Sequence, residues 1–120
     1  GELTEFQTIS TVPDGWSRGS TAEIFVHPSG QFLYASNRGH DSIACCHIHQ
    51  GGGKLSLIEI EKTGGRTPRN FNLDPSGKWI IAANKFSSDL HVFSTNPETG
   101  ALDPAGGRLE IPNPVCVVFL

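Results

Sequence analysis

The sequence predicts an all-β fold made of short strands and tight turns, and three observations support this. Fourteen glycines and eight prolines among 120 residues give a composition rich in turns. The apolar residues do not recur with the period of about 3.6 residues that an amphipathic helix needs, which excludes long helices. The chain also contains an internal repeat, and each copy holds several short apolar runs bounded by Gly and Pro.

The repeat has an offset of 47 residues and no gap over its best-matched part. Residues 27–38, HPSGQFLYASNR, align with residues 74–85, DPSGKWIIAANK. The alignment continues at the pairs Ile43 and Leu90, Cys45 and Val92, and Leu55 and Leu102. A third copy starts where residues 67–71 are echoed, about one residue short, by residues 113–117. Extra residues near the N-terminus fall at 12–20, which we interpret as a loop insertion.

Each copy predicts four short strands, at 22–26, 32–36, 42–49 and 55–61 in the first and at 70–73, 79–83, 89–94 and 102–111 in the second. Four strands in about 40–50 residues is the spacing of a β-propeller blade. The predicted fold is therefore an all-β propeller, of which this chain holds about two and a half blades.

The predicted organisation divides the chain at blade boundaries. We expect the end of one blade and a loop at 1–21, two blades at 22–66 and 67–112, and the start of a further or closing strand at 113–120. Propellers close with about 4–8 blades. We therefore expect the missing blades to belong to the same, longer chain, with assembly of several copies as the less favoured alternative.

Composition and charge exclude several function classes. Nine Lys and Arg against twelve Asp and Glu give a net charge of −3, which disfavours nucleic-acid binding. No run approaches the roughly 20 apolar residues of a membrane span, and no signal-peptide pattern is present, so no membrane partner is expected. The three cysteines are odd in number and include the neighbours Cys45 and Cys46, which predicts reduced thiols and a cytoplasmic location.

Several motifs, in order, resemble one known family. The segment at 27–43, HPSGQFLYASNRGHDSI, is similar to the lactonase family of seven-bladed β-propellers, which includes bacterial 6-phosphogluconolactonases and fungal 3-carboxymuconate lactonising enzymes. Residues 63–71 (TGGRTPRNF), 74–77 (DPSG) and 83–84 (AN) resemble its penultimate-to-last blade boundary, and residues 111–117 (IPNPVCV) resemble its closing segment. The resemblance implies the C-terminal third of such a protein.

Topology selects one rim of the predicted blades as the candidate site. The start of a blade's first strand and the end of its second emerge on the same rim, because the two strands run in opposite directions. In the second blade, Arg69 stands at the start of the first strand, and Asn84 and Lys85 stand at the end of the second strand. In the preceding blade, Asn37 and Arg38 stand at the end of the second strand. Arginine matches carboxylates and phosphates bidentately. We expect Arg38 and Arg69 to bind an anionic lactone and its developing oxyanion.

The resemblance adds roles to these residues. Arg38, in the run Asn37-Arg38-Gly39-His40, matches a position that the lactonising enzymes are proposed to use, which implies that Arg38 is catalytic. Arg69 matches a Pro-Arg element that carries another proposed catalytic arginine in an earlier blade. The family's acid/base glutamate and histidine would lie upstream. The chain would then hold the anion-binding half of the site and be inactive alone.

Each arginine also has a structural interpretation. Arg38 could pair with Asp41 or cap a backbone carbonyl, although function is favoured because converging arginines are costly without an anion. Arg69 could equally bridge two blades.

The other polar candidates favour structural roles. Asn37 and Asn84 are expected to hydrogen-bond the turn backbone rather than substrate. His40 could act as an acid or base near neutral pH, but we expect a solvent-exposed loop residue. His27 is expected to belong to a turn on the opposite rim.

A metal site is considered and rejected. Cys45, His47 and His49 share one face of a strand, but at about 3.3 Å per residue they span ~13 Å, too far for one tetrahedral shell. The repeat places Val92 and Ser94 at the positions of Cys45 and His47. No glycine-rich phosphate loop opens a helix, so no cofactor is expected.

We therefore expect a hydrolase resembling 6-phosphogluconolactonase that opens an anionic sugar lactone without metal or organic cofactor. One alternative is a muconate-type lactonising cycloisomerase, which nothing in the sequence separates from a hydrolase. A second alternative is a non-catalytic propeller module that binds proteins, with Trp16 as its only candidate anchor.

Overall fold

The computed structural model describes residues 1–120 and contains eight β-strands and no helix. The strands are β1 (Ser20–Val26), β2 (Phe32–Arg38), β3 (Ser42–Ile48), β4 (Leu55–Lys62), β5 (Pro68–Leu73), β6 (Trp79–Asn84), β7 (Asp89–Thr95) and β8 (Leu102–Glu110). They form two four-stranded antiparallel sheets in sequential order, β1-β2-β3-β4 and β5-β6-β7-β8. The predicted all-β fold is confirmed. The structure has no helix of the kind that could cross a membrane.

The repeat is present in the backbone as well as in the sequence. Left-handed φ angles recur 47 residues apart, at Gly30 and Gly77 (both 72°), Asp41 and Ser88 (both 57°), and Gly53 and Gly100 (68° and 75°). The turn between the first two strands of each sheet is closed by the same backbone hydrogen bond. The amide of Gly30 donates to the His27 carbonyl, and the amide of Gly77 donates to the Asp74 carbonyl. Each repeat is therefore one meander with the same three turns.

Strand bounds differ from the predicted ones by up to two residues, and the first strand of each sheet shows this largest difference at its start. β1 starts at Ser20 and β5 at Pro68, two residues before the predicted starts. Both strands carry a register irregularity there, between Thr21 and Ile24 and between Pro68 and Asn70. A bulge adds residues without adding cross-strand partners, so the alternation of side chains does not reveal it in the sequence.

The segment at 113–120 forms no regular strand, although one was predicted there. The first strand of each sheet pairs with the second strand of the same sheet, and the segment at 113–120 has no such neighbouring strand in the structure. Side chains of β5 hold the segment instead. The amide of Val117 donates to Oδ1 of Asn70 at 2.8 Å, and its carbonyl accepts from Nδ2 of Asn72 at 2.9 Å.

The hydrophobic core lies between the two sheets. Its ten buried residues come from both, namely Phe32, Tyr34, Ile43, Cys45, Phe71, Leu73, Ile80, Ala82, Phe93 and Leu102. The hydroxyl of Tyr34 donates to the Gly100 carbonyl at 3.0 Å, and Nε2 of His27 lies 2.9 Å from the Gly77 carbonyl. His27, predicted as a turn residue, thus also links the two sheets, which pack face to face as adjacent blades.

Equivalent positions of the two sheets are buried to very different extents. Phe32 is 2% exposed, whereas Trp79, its counterpart in the repeat, is 44% exposed. Tyr34 and Cys45 are fully buried, whereas their counterparts Ile81 and Val92 are half-buried. The difference arises because the second sheet covers the Phe32 face of the first, while no further sheet covers the Trp79 face. The two blades therefore form an open arc.

The packing between the sheets predicts unequal costs for two matched glycine substitutions. Gly53 and Gly100 occupy the same turn with φ of 68° and 75°. A Cβ at Gly100 would overlap the buried ring of Phe32, whereas a Cβ at Gly53 would meet only Phe6, at 3.9 Å. Gly53→Ala should cost about 1 kcal/mol from the backbone alone. Gly100→Ala should cost about 1–3 kcal/mol more, because it also overpacks the core.

Urea unfolding of the two variants and the unsubstituted chain measures both costs. Equal losses of stability at the two positions would contradict the proposed packing of this turn against Phe32.

Candidate functional site

The structure brings the ends of β2 and β6 and the start of β5 to one rim. Oδ1 of Asp41, in the turn after β2, accepts from the amide of Thr67 just before β5, at 2.8 Å. The amide of Lys85, just after β6, donates to the carbonyl of the same Thr67 at 2.9 Å. Arg38, at the end of β2, and Arg69, in β5, therefore lie on the same rim of adjacent blades.

One corner of the Arg38 guanidinium is anchored, and the rest has no partner in the chain. Nη2 donates to the Thr21 carbonyl at 3.0 Å, so the carbonyl contact considered from the sequence does form. Nε is buried without a hydrogen-bond partner. The alternative ion pair with Asp41 does not form, because the Asp41 carboxylate accepts from the amides of Gly39 and Thr67. Arg38 is thus held in position with unused donors.

Arg38 lines a cavity of about 260 Å³ at this rim. The other lining residues are Asn37 and members of the segment from Thr11 to Thr21. Two of the lining side chains are cationic, Arg18 and Arg38, and none is a carboxylate. A cavity with this lining favours an anionic ligand, because both fixed charges are positive.

Two glycines allow the loop before β1 to lie directly on the end of β2. Gly19 has a φ of 98°, and a Cβ there would overlap the carbonyl oxygen of Arg38. Gly39 has a φ of 93°, and a Cβ there would stand 3.0 Å from Cα of Gly19. Both positions need a left-handed backbone and a hydrogen in place of a side chain. The loop that forms the cavity wall therefore lies against the backbone of Arg38.

Arg69 and Lys85 lie on the rim but outside this cavity. Arg69 is exposed and takes part in none of the ion pairs of the chain. Lys85 is half-buried, and its Nζ lies 5.6 Å from the centre of the Phe86 ring. The second arginine that lines the cavity with Arg38 is Arg18, which the sequence analysis missed. Roles for Arg69 and Lys85 toward a substrate stay predictions.

Asn37 and Asn84 are buried and tie each blade to the segment before it. Asn37 is 2% exposed, donates from Nδ2 to the Thr11 carbonyl at 2.7 Å and accepts from the Thr11 hydroxyl at 2.6 Å. Asn84 is fully buried and donates to the Thr63 carbonyl at 3.3 Å, while its Oδ1 has no partner. These contacts favour structural roles for both asparagines over direct contact with a substrate.

The expectation that His40 is an exposed loop residue is wrong. Its side chain is buried, with Nδ1 at 2.7 Å from the Ser42 hydroxyl. The Trp16 ring packs edge-on against it with a centroid distance of 4.9 Å, and Nζ of Lys62 donates to its carbonyl at 2.6 Å. Burial and the charge of Lys62 lower the pKa of His40, against a smaller opposing effect of Asp41. His40 is therefore neutral at pH 7.

Trp16, the candidate anchor for a protein partner, is partly buried within the chain. Its ring is 41% exposed, because one side covers His40, and its Nε1 donates to the Arg18 carbonyl at 2.5 Å. The cover on His40 comes from the loop at 12–20, which has no counterpart in the second repeat. The repeat therefore contains no signal for the burial of His40 or for the position of Arg18 in the cavity wall.

The residues considered for a metal site do not converge. Cys45 is fully buried, with Sγ at 3.7 Å from Oε1 of Glu59, and burial raises the pKa of its thiol. His47 and His49 stack edge-on with ring centroids 4.8 Å apart. The chain contains no cluster of three His, Cys, Asp or Glu side chains that could hold a metal ion.

Comparison with known proteins now identifies the fold family. A family model described as "Lactonase, 7-bladed beta-propeller" matches residues 1–119. The chain belongs to this lactonase family. The resemblance stated from the sequence is thereby confirmed, and so is the β-propeller fold class.

Three relatives illustrate how much of this lactonase family the chain covers. It is 46% identical over 123 residues to a "Probable 6-phosphogluconolactonase" of Arthroderma benhamiae, covering 97% of the chain and 31% of that protein. It is 39% identical over 121 residues to the 6-phosphogluconolactonase of Bacillus subtilis, covering 100% of the chain and 35% of that protein. The periplasmic gluconolactonase of Pseudomonas aeruginosa superposes with a TM-score of 0.84 at 28% identity, covering 91% of the chain and 31% of that structure. The chain thus spans about a third of the length of these lactonase-family relatives.

The environment of His40 predicts a loss of stability on mild acidification of this member of the lactonase family. Because burial lowers the pKa of His40 in the folded state, the unfolded chain binds a proton first, starting near its ordinary pKa of about 6.5. Stability should therefore fall as the pH drops from about 7.5 to 5.5, and His40→Gln should reduce that fall.

Urea midpoints measured across this pH range provide the test. His49→Gln, which removes an exposed histidine, is the matched control and should keep the wild-type pH dependence. The same slope in the wild type and in His40→Gln would refute the buried, neutral state of His40.

Proposed function

We propose that this chain supplies two blades of a seven-bladed lactone hydrolase that opens an anionic sugar lactone of the 6-phosphogluconolactone type. The observation that carries the proposal is the cavity at the end of β2, where Arg38 and Arg18 are the only charged lining side chains. The relatives named 6-phosphogluconolactonase, at 39% and 46% identity, support the choice of substrate class.

Arg38 is the group we assign to the reacting carbonyl. Its contact with the Thr21 carbonyl anchors Nη2 of the guanidinium, and its other N–H groups, which have no partner in the chain, are left to donate to a carbonyl oxygen. Such preorganised donors stabilise the oxyanion that forms when the carbonyl is attacked. In the proposed reaction water adds to the carbonyl carbon, the ring C–O bond breaks, and the ring oxygen takes up a proton. The product is the open hydroxy acid.

The general acid and base of this reaction lie outside the chain in our proposal. No carboxylate lines the cavity, and His40 is buried under Trp16 with Nδ1 against Ser42. The family resemblance implies a glutamate and a histidine from other blades. A complete ring is therefore needed for turnover, and the 120-residue chain alone should be inactive.

A muconate-type lactonising cycloisomerase uses an equally anionic lactone, so the cavity does not separate it from a hydrolase. The names of the relatives favour hydrolysis. A cytoplasmic location is likewise proposed, on the support of three unpaired cysteines, of which Cys45 and Cys46 are buried. The periplasmic relative marks the alternative, and fractionation of the source cells would decide between them.

A chimera provides the test of activity. The chain replaces the matching third of the Bacillus subtilis 6-phosphogluconolactonase, to which it aligns over its whole length. The chimera should hydrolyse 6-phosphogluconolactone. Arg38→Ala should lower kcat about 100- to 1,000-fold, the effect typical of losing an oxyanion donor. It should change Tm by less than about 4 °C, because the contact with Thr21 is exposed to solvent.

Arg69→Ala in the same chimera tests the second rim arginine, and it should lower kcat less than Arg38→Ala because Arg69 lies outside the cavity. A folded chimera with no lactonase activity would refute the proposed function. A lower Tm for Arg38→Ala with kcat retained would make Arg38 a structural residue.

A further inference from the structure

The loop at 12–20 is an insertion that only the first blade has. Asn37 holds Thr11 and Asn84 holds Thr63, so these two threonines occupy equivalent places. Thr21 and Pro68 then pair with the same two asparagines at the starts of β1 and β5. Between these equivalent points the first blade has residues 12–20 and the second only residues 64–67. The longer connection provides most of the wall of the cavity that Arg38 lines.

This loop is fixed to the blade at both ends and in the middle. Thr11 is bonded to Asn37 at the beginning, and Gly19 lies against the backbone of Arg38 at the end. In between, the Trp16 amide donates to the Pro13 carbonyl at 3.1 Å, and its ring packs on His40. A loop fixed at three points holds its side chains in a defined region of the rim.

Arg18 stands in this loop with no partner for its charge. Its side chain is exposed and joins none of the ion pairs of the chain, although its carbonyl is held by Nε1 of Trp16. The hydroxyl residues Ser17 and Ser20, which are close to Arg18 in the sequence, line the same cavity. Two arginines on one cavity without a carboxylate repel each other, and a bound dianion would remove that repulsion.

The two arginines differ in how firmly they are held. Arg38 belongs to β2, is half-buried, and has one guanidinium corner bonded to the Thr21 carbonyl. Arg18 is exposed, and its guanidinium makes no hydrogen bond within the chain. A rigid donor suits an oxyanion whose position is set by the reaction, whereas a long, free side chain suits a charged group at a distance from it.

We propose that Arg18 binds the phosphate group of the lactone at the mouth of this cavity and so determines the preference for a phosphorylated substrate. This inference rests on the proposed function, in which Arg38 faces the reacting carbonyl. A phosphate monoester carries about −1.5 to −2 charges at pH 7 and offers three acceptor oxygens. The guanidinium fork of Arg18 matches these acceptors, and Ser17 and Ser20 of the same cavity wall add hydroxyl donors.

The first test compares two lactones in the chimera. Arg18→Gln should lower the ratio of kcat/KM for 6-phosphogluconolactone to that for unphosphorylated gluconolactone by about 10- to 100-fold, the loss expected for one charge-assisted contact. The loss should arise mainly in KM for the phosphorylated lactone. Arg18→Lys should recover much of it, because a lysine keeps the charge. Lys54→Gln removes one charge from the β3–β4 turn on the opposite rim and should leave the ratio unchanged.

The outcomes separate the two proposals. An unsubstituted chimera that folds but has no turnover refutes the proposed function. Turnover with the same substrate ratio in Arg18→Gln overturns the role of Arg18 alone. An equal loss of kcat/KM for both lactones also overturns it, because Arg18 would then only position the loop.

A binding experiment on the same chimera gives a second readout that needs no turnover. Inorganic phosphate is titrated while the amide resonances of Gly19, Ser20 and Gly39 are followed by NMR. Saturable shifts at these amides are expected for the unsubstituted chimera and for Lys54→Gln, and their loss is expected for Arg18→Gln. Shifts of equal size and midpoint in Arg18→Gln would overturn the proposal.

Discussion

The burial of aromatic side chains between the two sheets is the interaction on which the other features depend. Phe32 and Tyr34 of the first blade pack into the same core as Phe71 and Leu73 of the second. An antiparallel sheet of this size can fold stably when one of its faces is covered. Because this contact fixes the blades relative to each other, it also sets the turn after β2 against the start of β5, where Asp41 meets Thr67. The relative positions of the rim residues therefore depend on the packing of the core between the sheets.

The sequence predicted the parts of the fold that repeat. The Pro-Ser-Gly turns and the apolar runs recur at a fixed offset, so each copy supports the interpretation of the other. It did not predict the bulges in β1 and β5, because a bulge changes cross-strand pairing without changing residue type. The rim position of Arg38 was predictable from strand direction. The contact of its guanidinium with the Thr21 carbonyl was not predictable, because it depends on the irregular register of β1 against β2.

The candidate site could be predicted only where it coincides with the repeat. Arg38 stands in the repeated segment and was found, whereas Arg18 stands in a loop with no second copy and was missed. His40 was judged exposed for the same reason, since the ring that covers it comes from that loop. Nonlocal burial by an inserted segment leaves no periodic signal in a single sequence. Gly19 and Gly39 are the residues in the sequence that reflect this burial, because the backbones of the loop and of the turn after β2 approach closely at these two glycines.

The unequal burial of Phe32 and Trp79 shows that blade stacking has a direction. The first blade contributes Phe32 and Tyr34 to the shared core, whereas the second contributes Phe71 and Ile80, which belong to the opposite face of the repeat unit. A blade thus has a leading and a trailing face that are not interchangeable. Blades added in this manner can only follow one another head to tail, so equivalent loops always emerge on the same side. A duplicated blade would inherit this orientation, and an insertion in any one loop could diversify the ligand without disturbing the stack.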